Sequence, residues 1–150
     1  MNVKRSKDKP ERAERMISTL AEAGVRITPA RRAVVEVIAS SSRMLNSEEV
    51  LKQARKRQPS LGLASVYRTL DALQAARCTN HVYLDQQGFV FACFKQEMHA
   101  HLICRMCHRL IECDLTDVTP HIGHLLATAG FRPDLKVVEM IGVCESCQES

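Results

Sequence analysis

The sequence predicts an α+β chain in two parts, an N-terminal winged helix-turn-helix followed by a small α/β dimerisation domain. Three observations carry that expectation. Four stretches before residue 78 place apolar residues at helical spacing between capping signals, and two alternating stretches after it flank a short turn containing Gly88. The last third then mixes strand and helix patterns between two Cys-x-x-Cys pairs.

The first helix is expected over 11–24, where Met16, Ile17, Leu20 and Ala23 share one side and Gly24 marks the end. Thr28 followed by Pro29 starts a second, because a side-chain acceptor at the cap precedes a residue whose missing N–H is not needed in the first turn. Val34, Val35 and Ile38 give it an inward face. Asn46 with Glu49 three residues on forms a capping-box pattern for a third helix, which continues through Val50 and Ala54 and stops before Pro59. A fourth follows Gly62 and runs to about Arg77, with Leu63, Val66, Leu70 and Leu73 inward. Arg68 then points outward with Ala64, Asp71 and Ala75, and Ser65 and Tyr67 stand at the shoulders. Strands 81–84 and 89–94 around the turn 85–88 complete the wing, and in such a fold the last helix enters the DNA major groove. Beyond lie strand 99–104, a Cys-x-x-Cys turn, strand 109–113, helix 117–129 and strand 135–142. The expected boundaries are a winged-helix DNA-binding domain over 1–93, a hinge over 94–98 and a zinc-containing dimerisation domain over 99–150. The last of these has few core residues, so metal, dimerisation or both are expected to support it.

Composition narrows the function. A chain of 150 residues with 45% hydrophobic and 25% charged content suits a globular protein, and no apolar run nears the ~20 residues of a membrane crossing. Residues 1–15 are rich in Lys, Arg and Glu instead of forming an apolar signal core, so a cytoplasmic location with no membrane partner is expected. Residues 1–93 hold 16 Lys and Arg against 9 Asp and Glu, whereas 94–150 hold 5 against 8. The basic part can therefore face phosphates while the acidic, Cys- and His-rich part does something else. With no Trp, 2 Tyr and 4 Phe, base stacking on single strands is a poor fit. Neither catalytic residues nor a small-molecule substrate is expected.

The 7 cysteines, without an export signal, argue for metal ligation or thiol chemistry over a disulfide framework. Cys104, Cys107, Cys144 and Cys147 form two Cys-x-x-Cys turns, and two such turns supply the tetrahedral four-sulfur shell that zinc prefers. This is the expected structural zinc. Cys104 to His108 also spells a haem-attachment pattern, which needs export and leaves the second pair unexplained. A thioredoxin-like pair expects a helix N-terminus, whereas Cys104 and Cys107 lie between strand patterns. A second, regulatory zinc is expected from His81, Cys93, His99 and His101. His81 and Cys93 fall almost opposite each other across the wing, and His99 and His101 share one face of the next strand. Folding back at the knuckle places Glu112 opposite His99, as an alternative fourth ligand. His121 and His124 fall on a solvent face of their helix, opposite an inward side of Ile122, Leu125, Leu126 and Ala129; Cys78 and Cys113 read as packing residues and His108 as a turn residue.

Gly24-x-Arg26-x-Thr28-Pro29-x-Arg31, Ser65-Val66-Tyr67-Arg68-Thr69-Leu70, His99-Ala100-His101-Leu102-Ile103-Cys104-x-x-Cys107 and Cys144-x-x-Cys147 together resemble the Fur family of bacterial metal-responsive repressors, from about residue 15 to 147. The resemblance implies a homodimer that represses uptake genes when its corepressor metal is bound. Within the family the pattern is similar to the zinc uptake regulators, whose interdomain site uses positions matching His81, Cys93, His99 and His101. Glu112 also falls where some relatives place a ligand. Iron regulators instead have a carboxylate where Cys93 stands. Met98 and Ala100 occupy positions that often hold His and Asp, and Lys136 stands where relatives have a third-site histidine, so a third metal site is expected to be absent. His108 replaces a family glycine.

The expected function is a zinc-responsive repressor of zinc uptake genes, with two zinc ions per chain, binding a pseudo-palindromic operator. Alternatives are a family member responding to iron or peroxide, and a cytosolic zinc-storage or thiol-redox protein. Tyr67 and Arg68 are the candidate base readers, through a thymine methyl and guanine O6 and N7 respectively, with Ser65 beside them. Arg26, Arg31 and Lys52 are candidate phosphate contacts.

Overall fold

The structure, a computed structural model, describes residues 9–92, 99–114, 119–132 and 137–149. They fall into two compact units, one within Ser6–Phe94 and the other within Lys95–Ser150. Cys93 and the expected hinge, 94–98, lie outside the described residues.

The first unit holds α1 (Lys9–Glu22), α2 (Pro29–Ser40), α3 (Ser47–Ala54), α4 (Leu63–Ala75) and the strands β1 (Thr79–Leu84) and β2 (Gln87–Ala92). Met16, Leu20, Val34, Val35, Ile38, Val50, Val66 and Leu73 are enclosed in one cluster that ties the helices together. Local chemistry sets the ends. Gly24, at φ +77°, lets the Val25 N–H reach back to the Leu20 carbonyl at 2.9 Å, which closes the chain after α1. Thr28 accepts from the Arg31 N–H at 3.2 Å ahead of Pro29. The capping box at α3 is complete: Asn46 Oδ1 accepts from the Glu49 N–H at 2.8 Å, and the Glu49 carboxylate accepts from the Asn46 N–H at 2.9 Å. Leu63, expected inward, is 37% exposed instead. It occupies the first position of α4, ahead of where the buried row of Val66, Thr69, Leu70 and Leu73 begins. Thr69 is tolerated there because its hydroxyl bonds the Ser65 carbonyl at 2.8 Å.

The wing turn is shorter than expected. Leu84 pairs with Gln87, so Asp85 and Gln86 form a two-residue turn, both at positive φ (48° and 66°). Gly88 therefore lies inside β2 opposite Tyr83, whose ring covers it: a Cβ at Gly88 would sit 3.4 Å from Tyr83 Cε1. The shift sets His81 opposite Val90. Leu45 adds a bridge to the wing through bonds of 3.0 and 2.8 Å with Val90.

The second unit holds β3 (His99–Cys104), β4 (Leu110–Asp114), α5 (Thr119–Thr128), β5 (Val137–Gly142) and α6 (Glu145–Gln148). Its sheet has the order β4-β3-β5, with β4 antiparallel and β5 parallel to β3. Among the described residues its interior is small, comprising Ala100, His101, Ile103, Cys104 and Cys113. Leu125, expected inward on α5, is 68% exposed, and Phe131, Met140 and Ile141 are exposed as well.

Candidate metal centre and nucleic-acid face

β3 ends in Cys104, and the backbone builds the first knuckle there: the Cys104 N–H donates to the Arg109 carbonyl at 3.0 Å and the His108 N–H to the Cys104 carbonyl at 2.9 Å. His108 completes the turn in the left-handed region (φ 60°). The Arg105 N–H donates to the Gly142 carbonyl at 2.9 Å, which stitches this knuckle to the end of β5. Cys144 then starts α6, whose Cys147 N–H bonds the Cys144 carbonyl at 2.9 Å. The result brings all four sulfurs within 4.8 Å of one another, and Cys107 Sγ and Cys144 Sγ are 3.7 Å apart. A tetrahedron with ~2.3 Å arms has edges of about 3.8 Å, so the cluster has zinc's dimensions.

Charge supports that fit. Burial, the largest single influence, pushes the Cys104 thiol up, but the N–H groups of Cys144, Cys107 and Met106 and the Cys107 thiol together bring it down to about 6. The Cys144 N–H lies 3.4 Å from Cys104 Sγ. Cys147 is pushed up to about 12, first by its hydrogen bond with Cys144, then by that with Cys107, by burial and by the charge on Cys104. One sulfur ionises readily and another resists, because the cluster concentrates negative charge that a cation would neutralise. These four cysteines are free thiols here, as are Cys78 and Cys113, both buried. As ligands, the four sulfurs would close a coordination shell, which suits a structural ion and would leave no open position for catalysis.

The remaining expected ligands are divided between the two units. His81 on β1 is half-buried, and its Nε2 has no hydrogen-bond partner among the described residues. Burial lowers the pKa of its imidazole, with the Asp71 carboxylate drawing it partly back up. His101 on β3 is fully buried. Glu112 pairs with His101, and His99 pairs with Asp114, so the expected His99–Glu112 pairing is corrected. The turn Cys104–Arg109 sets β4 two positions later than the sequence suggested. Parallel pairing of β5 also brings Glu139 beside His101, so Glu112, His101 and Glu139 form one row across three strands. Sequence reasoning missed Glu139, since pairing between distant strands leaves no local signal. The side chain of His99 lies outside the described residues.

In the first unit, α4 presents Tyr67, 50% exposed, and Arg68, also exposed. Arg68 Nη2 donates to Ser65 Oγ at 2.9 Å, one helical turn back. Ser47 of α3, which sequence reasoning did not single out, is hydrogen-bonded through its hydroxyl to Tyr67 Oη at 3.1 Å. Arg26 and Lys52 are exposed. Arg31 is half-buried and its guanidinium donates to the Arg26 carbonyl, so it braces the α1–α2 connection as well as lying near Arg26. Arg32, Arg43 and Arg57 are engaged by Glu14, Glu49 and Glu36. Among the described residues no helix is long and apolar enough to cross a membrane.

The same architecture occurs in known proteins. The chain is 26% identical over 129 residues to a zinc uptake regulation protein of Mycobacterium tuberculosis, covering 86% of this chain and 99% of that protein. It is 26% identical over 140 residues to the peroxide-responsive repressor PerR of Staphylococcus aureus, covering 91% of each. A solved zinc uptake regulator complexed with zinc and DNA shares the fold with a TM-score of 0.67 at 24% identity, over 96% of this chain and 97% of that one. The sequence profile of the ferric uptake regulator family matches residues 22–140, and on that span the chain belongs to this family.

Proposed function

We propose that this metalloregulator is a zinc-responsive transcriptional repressor of zinc uptake genes, acting in the cytoplasm as a homodimer on a pseudo-palindromic operator. The observation that carries the reading is the four-sulfur cluster of zinc dimensions in a chain whose other unit turns Tyr67 and Arg68 outward from α4. Cys104, Cys107, Cys144 and Cys147 would hold a structural zinc. His81, Cys93, His99 and His101, with Glu112 as the alternative fourth ligand, would hold a second, regulatory one. Zinc, when bound, supplies a strong cross-link between thiolate and imidazole donors. In the domain division 1–93, 94–98 and 99–150, these ligands come from both sides of residues 94–98, so their joint engagement constrains that segment and biases the protein toward its DNA-binding form. Arg68 and Tyr67 would read base edges beside Ser65, while Arg26 and Arg31 would meet phosphates. Leu125, Phe131, Met140 and Ile141 are each exposed, and give apolar area that a second copy of the chain would cover in part.

A second reading, response to iron or peroxide, draws support from the match to PerR at the same 26% identity. The donor set favours zinc: a Cys93 thiolate among imidazoles suits zinc's borderline softness. A stripped, reduced sample titrated with zinc in the presence of a duplex selected from a random library tests this. The expected result is sequence-selective retardation that appears with zinc and vanishes with a chelator. Retardation with ferrous iron or manganese and none with zinc would favour the second reading.

A further inference from the structure

We propose that Ser47 is a positioning residue for sequence-selective DNA recognition, acting through Tyr67; the proposal rests on the DNA-binding reading above. Tyr67 and Arg68 are adjacent on α4, and both are tethered before any ligand arrives: Arg68 to Ser65 at 2.9 Å and Tyr67 to Ser47 at 3.1 Å. The second tether is the unusual one, because it joins two helices across 20 residues of sequence. Ser47 is free for that task. It occupies the first position of α3, but Asn46 and Glu49 perform the capping, so its hydroxyl has no part in starting the helix.

The bond joins two hydroxyls, each able to donate or accept, so it holds the Tyr67 ring in place while Tyr67 Oη keeps a hydrogen-bonding site to offer outward. That site suits a polar group on a base edge. Fixing a half-exposed aromatic side chain before binding also removes an ordering cost that would otherwise fall on the complex. Losing one such hydrogen bond weakens binding by about 3- to 10-fold.

Ser47→Ala is a clean test because the capping box is left intact. Full-length zinc-loaded protein is measured on the duplex it selects from a random library and on a scrambled duplex. Ser47→Ala should weaken the selected duplex by about 3- to 10-fold and the scrambled one by less than about twofold, and Ser47→Thr should restore binding. In a Tyr67→Phe background, Ser47→Ala should cost nothing further. A DNA-free arm uses Tyr83→Phe, which leaves Tyr67 the sole strong emitter in a chain with no Trp and 2 Tyr. There Ser47→Ala should lower tyrosine anisotropy and Ser47→Thr should not. Equal losses on both duplexes, a loss that persists without the Tyr67 hydroxyl, or unchanged anisotropy would each overturn the proposal. If anisotropy responds but the wild type selects no duplex, the DNA-binding reading fails and the role of Ser47 in recognition fails with it.

Discussion

Replacing Cys104 with serine should separate the two units by their sources of stability. Among the described residues, the second unit buries only Ala100, Ile103, Cys104 and Cys113 as apolar side chains, whereas the first encloses a cluster running from Ala13 to Ala92. Metal binding, together with dimerisation, would then do in the second unit what packing does in the first. Structural zinc contributes roughly 10–16 kcal/mol in small zinc domains, so an even share among four ligands is about 2.5–4 kcal/mol, or on the order of 10²- to 10³-fold in zinc affinity. After mild chelation, metal analysis should find about one zinc per chain in the wild type and none in Cys104→Ser. Amide exchange in β3, β4 and β5 should accelerate by a comparable factor while α1 to α4 keep their protection, and sedimentation should show loss of the dimer. A variant that retained zinc and wild-type exchange, or a wild type that lost both its zincs together under mild chelation, would refute the reasoning.

Arg68→Ala should cost roughly 1–3 kcal/mol on the selected duplex and much less on a scrambled one; a nearly uniform loss with a shallower salt dependence would make Arg68 a phosphate contact instead. Asn46→Ala removes the cap and half of the box at α3, so thermal unfolding of the helical unit should lose about 1 kcal/mol, or about 4–8 °C, while Glu49→Gln should cost less, because glutamine completes the same box and gives up only the partly exposed ion pair with Arg43. His81 is the sole histidine within Ser6–Phe94. Its folded-state pKa is lowered by burial, so the unfolded chain binds more protons below about pH 6.5; its contribution to stability is present above that pH and lost as pH falls through the folded-state value. In chelator, the urea midpoint of the helical unit should drop between pH 7.5 and 5.5, and His81→Gln should reduce that drop.

The sequence was most legible where the physics is local. Thr28-Pro29, Asn46 with Glu49 and Gly24 act through neighbours within one helical turn, and each performs the predicted task in the structure. The Cys-x-x-Cys turns are equally local, and their convergence followed from metal chemistry. Register was not legible, because it depends on turn geometry that the residues disguise. Gly88 looked like the turn residue, but Asp85 and Gln86 adopt positive φ and Gly88 pairs under the Tyr83 ring, which sets His81 opposite Val90. The knuckle from Cys104 to Arg109 likewise moved Glu112 from His99 to His101. Contacts that join distant elements left no trace in the pattern: the Ser47–Tyr67 bond and the parallel placement of Glu139 beside His101 appear only once the chain is folded. Leu63 and Leu125 were misplaced because helical spacing alone does not say where a helix first meets its neighbours.

Operator binding as a function of buffered free zinc, compared between the wild type and Cys93→Ser, tests the account most directly. If Cys93 is a ligand of the proposed regulatory zinc, removing it would weaken that ion without touching the four-sulfur cluster. The wild type should pass from weak to tight, sequence-selective binding as zinc rises. Cys93→Ser should remain a folded dimer, by circular dichroism and sedimentation, that binds the same operator weakly at saturating zinc. A Cys93→Ser protein with the wild-type zinc response would contradict the claim that this chain senses zinc through Cys93.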